Sequence, residues 1–336
     1  MNFGGTIRIN RIGFCIICAV IILFVIYLTP KHLSFRSDKI NLRRLLLASI
    51  EAAERGGLEV IKVSKESNIN EEIKGKTKEG VKIPVTEADY RSHCVMYYGI
   101  TKLFPSISVI SEEKEGEKDC KNLVPLDIEP RGNLGIHGLP DVEVEASEIT
   151  VWIDPLDATQ EYTEHLYNYV TTMVCVAYRG NPIIGVIHKP FGDEHKTMWA
   201  WLNKGKSPHL IFAKDKLKEN EKAVIIVSRS HHGNVDKFVK KVFGESAEII
   251  YAGGSGYKSL EVASGNVTAY IHKTAISKWD VCAGDAIIAS LGGTFKTLSN
   301  KYLDYKADSN HLNTEGILAT MISNVADKGK VMYNDV

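Results

Sequence analysis

Apolar residues recur along this chain in two rhythms. Over 40–63 they return on a helical period, with Leu42, Leu46, Ile50 and Ala53 on one stripe, which predicts an amphipathic helix lying on a sheet. A second helix is expected over 88–104, with Val95, Ile100 and Leu103 turned inward. β-rich runs at 107–110, 150–153, 169–178, 183–188 and 198–201 read as strands, and Gly180-Asn181 predicts a hairpin between two of them. Together they predict a largely antiparallel first lobe. From Ala223 the order becomes strand 224–227, helix 236–243, strand 248–251, helix 257–264, strand 269–271 and helix 280–291, the alternation of an α/β second lobe. Two stretches carry no period: the charged 64–82, predicted as a mobile loop, and the Gly-, Pro- and charge-rich 113–148, predicted as an exposed loop.

The N-terminus departs from this pattern. Residues 12–28 form an apolar run without charge, at the lower end of the roughly 17–25 residues a spanning helix needs. Tyr27-Leu28-Thr29-Pro30-Lys31 offers no small-residue cleavage site, so a retained transmembrane helix is expected rather than a removed signal peptide. Arg8 and Arg11 precede the run while Lys31, Arg36 and Lys39 follow it, so charge does not set its orientation. The expected organisation is a tail at 1–11, an anchor at 12–28, a linker at 29–39, an N-terminal α+β lobe at 40–205 and a C-terminal α/β lobe at 206–336.

Lys plus Arg and Asp plus Glu both total 41 in 336 residues, so no net field draws this surface onto DNA or RNA. Nucleic-acid polymers are excluded as partners; a single nucleotide needs only one local pocket. Outside the apolar run stand Cys94, Cys120, Cys175 and Cys282, read as packing residues and not as a disulfide framework. One glycosylation sequon, Asn266-Val267-Thr268, follows Gly265 at an apparent turn.

The chemistry centres on Asp154-Pro155-Leu156-Asp157-Ala158-Thr159, placed where a β-rich run stops and the chain turns. Two carboxylates three residues apart, with backbone carbonyls freed between them, can grip two hard cations from one loop. Glu112-Glu113 ends another strand, Asp280 follows Trp279 at a helix start, and Asp89 stands before the helix at 90–104. Each alone has a plainer reading, as a turn, a solvated loop or a helix cap. The ordered set is what points to a magnesium site.

Thr86-x-x-Asp89, Glu112-Glu113, Trp152-Ile-Asp-Pro-Leu-Asp-Ala-Thr159 and Trp279-Asp-x-Cys-Ala-Gly284 resemble, in order and spacing, the lithium-sensitive, magnesium-dependent inositol monophosphatase superfamily. The likeness runs from about 40 to 330 and is strongest to its Golgi branch, which acts on a nucleotide. It implies a layered α/β sandwich, two or three magnesium ions held by Glu112, Asp154, the Leu156 carbonyl, Asp157 and Asp280, and Asp89 with Thr159 preparing the attacking water. It also places Ala158, Thr159, Ser228, His231, Gly254 and Lys258 against the substrate. Ala158 stands where the broad superfamily usually has glycine.

The activity implied is hydrolysis of the 3′-phosphate of adenosine 3′,5′-bisphosphate, by a single-pass Golgi membrane protein with a luminal catalytic domain and a homodimeric assembly. The nearest rival is a phosphatase for inositol or other small phosphomonoesters. A membrane-tethered binding protein without activity would be marked by a missing ligand, and none is missing.

Overall fold

The computed structural model describes residues 11–28, 38–77, 80–113, 120, 124–130, 134–192, 197–212, 222–230 and 235–326. Its contacts divide the chain after Asp38. On the N-terminal side, α1 covers Arg11–Leu28, with Ile12, Phe14, Ile16 and Phe24 among its exposed side chains. Among the described residues no helix is long and apolar enough to cross a membrane.

The unit Lys39–Val336 begins with β1 (Lys39–Asn41) and α2 (Leu42–Ser64). Asn41 starts α2 by accepting the Arg44 N–H on its side chain at 3.0 Å, an ordinary N-cap. There follow β2 (Glu72–Lys76), β3 (Lys82–Val85), α3 (Glu87–Leu103), β4 (Ser108–Ser111) and β5 (Glu143–Glu145). Next come β6 (Ile149–Asp157), the short α4 (Thr159–Thr163), β7 (Thr171–Tyr178), β8 (Asn181–His188), β9 (Thr197–Trp201) and β10 (Gly205–Lys206). The C-terminal part runs β11 (Val224–Ser228), α5 (Val235–Phe243), β12 (Glu248–Ala252), α6 (Ser255–Ala263), β13 (Ala269–His272) and β14 (Ile276–Ser277). It closes with α7 (Lys278–Ser290), β15 (Thr294–Lys296), β16 (Leu312–Asn313), β17 (Ile317–Thr320) and α8 (Ser323–Ala326).

A six-stranded sheet, ordered β10-β9-β8-β7-β6-β4, is antiparallel except where β4 runs parallel to β6. Because strand side chains alternate between faces, Val151, Ile153, Val174 and Val176 pack under α2 and α3, while Trp152, Met173 and Cys175 face α6 and α7. Beyond that helix pair lies a five-stranded sheet, β12-β11-β13-β17-β15, whose far face takes Phe238 and Val239 of α5. The layers are therefore helix, sheet, helix, sheet, helix. In the second sheet β12, β11 and β13 pair in parallel, and β17 alone runs the other way, pairing antiparallel with β13 on one side and β15 on the other.

Three expectations are corrected. The stretch 64–82 holds β2 and the start of β3, a hairpin whose exposed residues give no apolar signal. The stretch 113–148 is not merely exposed: Leu126, Leu134, Ile136 and Leu139 are buried in the first core, and Trp199 donates its Nε1–H to the Leu134 carbonyl at 2.8 Å. The cysteines are bonded, Cys94 to Cys120 and Cys175 to Cys282. The second bond joins β7 to α7 across 107 residues of sequence, a pairing that only the layering creates.

Candidate active site

β4 and β6 lie parallel with Ser111 opposite Ile153, and the Glu112 N–H donates to the Ile153 carbonyl at 3.1 Å. That register sets Glu112 beside Asp154. β6 does not stop there, as the sequence led one to expect; it continues to Asp157, but its pairing with β7 shifts between Asp154 and Asp157. The bulge frees two carbonyls, as bulges do. The Pro155 carbonyl accepts from Ser92 Oγ at 2.7 Å, and the Leu156 carbonyl accepts from Thr159 Oγ1 at 3.1 Å.

Ala158 then takes φ 69°, ψ 43°, the left-handed region, before α4 begins. A Cβ in that region costs roughly 1–2 kcal/mol, which is the physical reason glycine suits this position better.

Asp280 arrives on the opposite wall as the third helical residue of α7. Its Oδ2 accepts the Ser277 N–H at 3.2 Å in a reciprocal capping box. Capping and participation in the site coexist here. Oxygens of Glu112, Asp154 and Asp280 lie within 4.8 Å of one another. Asp154 is buried, and its Oδ1 has no hydrogen-bond partner among the described residues. Burial first, then Glu112, Asp157 and Asp280, push its carboxyl well above the usual carboxylate range; burial and Glu112 do the same to Asp280. A buried carboxylate facing two others with no proton or cation is unstable. An all-oxygen set of this kind fits a hard divalent cation such as magnesium.

Asp157 lines the same cavity, but its carboxylate is already engaged. Oδ1 accepts the Ser255 N–H at 3.0 Å, and Oδ2 accepts the Gly256 N–H at 2.7 Å and the Thr171 hydroxyl at 3.0 Å. It binds the first turn of α6 to the loop that follows Asp154. Gly254, at φ 64°, lets that turn approach: a Cβ there would meet the Tyr169 carbonyl oxygen at 2.6 Å and Asp157 Oδ2 at 3.0 Å.

Lys258 is buried behind the turn and donates to the Gly254 and Ala252 carbonyls, with its ammonium 5.1 Å from the centre of the Tyr270 ring. Burial lowers its pKa to about 8 against the pull of Asp157 and Glu161. Ser228, at the end of β11, lines the cavity with Gly254, Lys258 and Ala158. His231 lies outside the described residues.

Asp89 and Thr159 are brought together. Asp89 Oδ2 accepts from both Thr86 N–H and Thr86 Oγ1 at 2.7 Å, a capping box that starts α3, and Oδ1 accepts from Thr159 Oγ1 at 3.1 Å. Burial raises the Asp89 carboxyl to about 6, with Thr86 and Lys74 restraining it. Thr159, the acid trio, Asp157 and Lys258 line one cavity of about 520 Å³, and Asp89 stands behind Thr159.

The sequence did not single out Lys74 or Glu161, and of the pair Glu112-Glu113 it gave a role only to Glu112. Lys74 of β2 donates to Glu112 at 2.8 Å and to Glu113, which is buried. Glu161 packs against Gly253, where an added Cβ would strike it, and pairs with Arg229 at 3.4 Å. For Lys74 the only clue was its place in a charged stretch, where Lys76, Lys78 and Lys82 look the same.

A cavity with an acid trio on one side and a glycine turn on the other can hold a divalent cation against a phosphate ester. Residues 41–329 match the model of the inositol monophosphatase family, and the chain belongs to that family. The inositol monophosphatase 3 of Danio rerio is 44% identical over 331 residues, covering 94% of this chain and 93% of its own. The Golgi-resident adenosine 3′,5′-bisphosphate 3′-phosphatase of Rattus norvegicus is 43% identical over 273 residues, 79% of this chain and 74% of its own. Among solved structures, inositol monophosphatase from Anabaena aligns with a TM-score of 0.60 over 87% of this chain and 96% of its own; at 21% identity that likeness concerns the fold.

Proposed function

We propose that this chain is a magnesium-dependent phosphomonoesterase that hydrolyses the 3′-phosphate of adenosine 3′,5′-bisphosphate to AMP and phosphate, so clearing a by-product of sulfotransferases in the Golgi. The observation that carries the reading is the buried Asp154 carboxylate, with an oxygen that has no partner among the described residues, beside Glu112 and Asp280. Those three residues, with the Leu156 carbonyl and Asp157, are assigned to two or three ions. Bound there, the ions would supply charge for the phosphoryl oxygens and make a water acidic enough to attack.

The protein's own groups do the rest. Asp89 Oδ1 accepts a hydrogen bond from the Thr159 hydroxyl, so a lone pair on Thr159 Oγ1 can accept a proton from the water as threonine's own proton passes to Asp89. Asp89, raised to about 6, is able to hold that proton. Ala158, Ser228, His231 and Gly254 are assigned to the substrate. Lys258 is assigned there too, through the turn it holds.

A second reading, hydrolysis of inositol monophosphates, is favoured by the name of the Danio relative. Phosphate release from adenosine 3′,5′-bisphosphate and from inositol 1-phosphate, each with magnesium and with EDTA, separates the two. The nucleotide is expected to win by at least about tenfold in kcat/KM, the value of one well-placed charge-assisted contact. A preference for inositol phosphate overturns the nucleotide assignment.

The Golgi location is supported by the name of the rat relative and by two disulfides, which persist in oxidising compartments. We assign 12–28 to a single-pass anchor on its uncharged apolar sequence and on the exposure of Ile12, Phe14, Ile16 and Ile17. Residues 29–39 are the linker, with lobes at 40–205 and 206–336 on the luminal side as a homodimer. The exposed Asn266 is the glycan acceptor in this reading. Carbonate-washed membranes are expected to retain the protein; a dominant soluble form lacking 12–28 overturns the anchor.

A further inference from the structure

The hairpin of β2 and β3 belongs to neither large sheet. Ile73 pairs with Pro84 and Gly75 with Ile83, so Lys74 is the extra residue of a bulge. A bulge re-aims the side chain it carries. Here it delivers an ammonium group to the two acids that follow β4, Glu112 at 2.8 Å and Glu113. Glu112 is also a member of the acid trio, so one carboxylate serves both the ammonium and the place where a divalent cation fits.

We propose that Lys74 is an exchangeable counter-cation of the site, a positioning residue that holds Glu112 and Glu113 until a divalent cation takes Glu112, and is then retained by Glu113 alone. The inference rests on the assignment of Glu112, Asp154 and Asp280 to a cation. The Lys74 side chain is 26% exposed, which leaves it room to move, whereas the Glu113 side chain is 3% exposed and fixed. Lys74 is thus placed to offset the crowded carboxylates when no metal does so, and to repel a divalent ion that approaches while the ammonium still sits on Glu112.

The test uses magnesium chloride alone, titrated calorimetrically into the folded protein and two variants. Lys74→Met removes the competitor and is expected to bind magnesium about tenfold more tightly. Its melting midpoint in EDTA is expected to fall, because the acids lose their counter-charge. Lys74→Arg is expected to restore the wild-type isotherm. Glu113→Gln strands the ammonium on Glu112 and is expected to weaken magnesium binding. A merely structural hairpin contact would move both variants in one direction. Shifts of the same sign, or a Lys74→Met isotherm like that of wild type, overturn the exchange. A wild-type isotherm with no magnesium uptake overturns the cation site itself, and the inference with it.

Discussion

Asp154→Asn is expected to lower phosphate release at saturating magnesium by at least about a thousandfold, while the metal-free protein melts no lower than wild type. The first half follows from charge: losing the central acid of the trio forfeits several kcal/mol of phosphoryl charge stabilisation, at about 1.4 kcal/mol per tenfold. The second follows from burial, which already holds the ionised Asp154 at a disadvantage in the folded state. Asparagine keeps the volume and removes that cost. Initial rates, together with melting curves in EDTA and in magnesium, read both halves; wild type should gain a magnesium-dependent rise that the variant lacks. Near-normal magnesium-dependent turnover in a folded Asp154→Asn protein would remove the metal site from this cavity.

Thr159→Ala should reduce kcat by roughly a hundredfold or more, the range of a lost proton-transfer partner, with KM and magnesium affinity nearly unchanged. Thr159 Oγ1 contacts the Asp89 carboxylate and the Leu156 carbonyl, and its loss leaves the carboxylate trio intact. Thr159→Ser retains the hydroxyl and is expected to recover most of the rate. Equal loss in the serine and alanine variants would show that the methyl group, and therefore packing, is what matters at this position. Asp89→Asn is the natural partner experiment, since asparagine still offers an oxygen to Thr86 while no longer accepting a proton as a carboxylate does.

Much of this arrangement was legible before any coordinates. The stripe Leu42, Leu46, Ile50 did become the buried face of α2, and the alternation around Val151, Trp152 and Ile153 did divide two cores. Glu112, Asp154 and Asp280 could be gathered from distant fragments because hard cations demand such acids. Other features had no local signature. The β2–β3 hairpin is held by backbone pairing and by the ion pairs of Lys74, so no hydrophobic period announces it. Asp157 looked like a ligand free for metal, yet its oxygens also bind the α6 turn, a contact set by the two walls meeting. Cys175 and Cys282 each read as a small core residue, because a bond across 107 residues leaves no trace in either neighbourhood. Asp89 and Asp280 share a local device, each completing a capping box at the start of its helix.

The Cys175–Cys282 bond has a bearing on when the protein matures. Cys282 lies two residues beyond Asp280 on α7, and its partner lies in β7, the strand that pairs with the metal loop. Oxidation therefore fastens the third carboxylate to the sheet that carries the first two. A copy stranded in the cytosol would keep both sulfurs as thiols, and α7 would rest on the sheet by packing alone. In the oxidising compartment proposed for it, the chain would therefore be held in its most firmly assembled form.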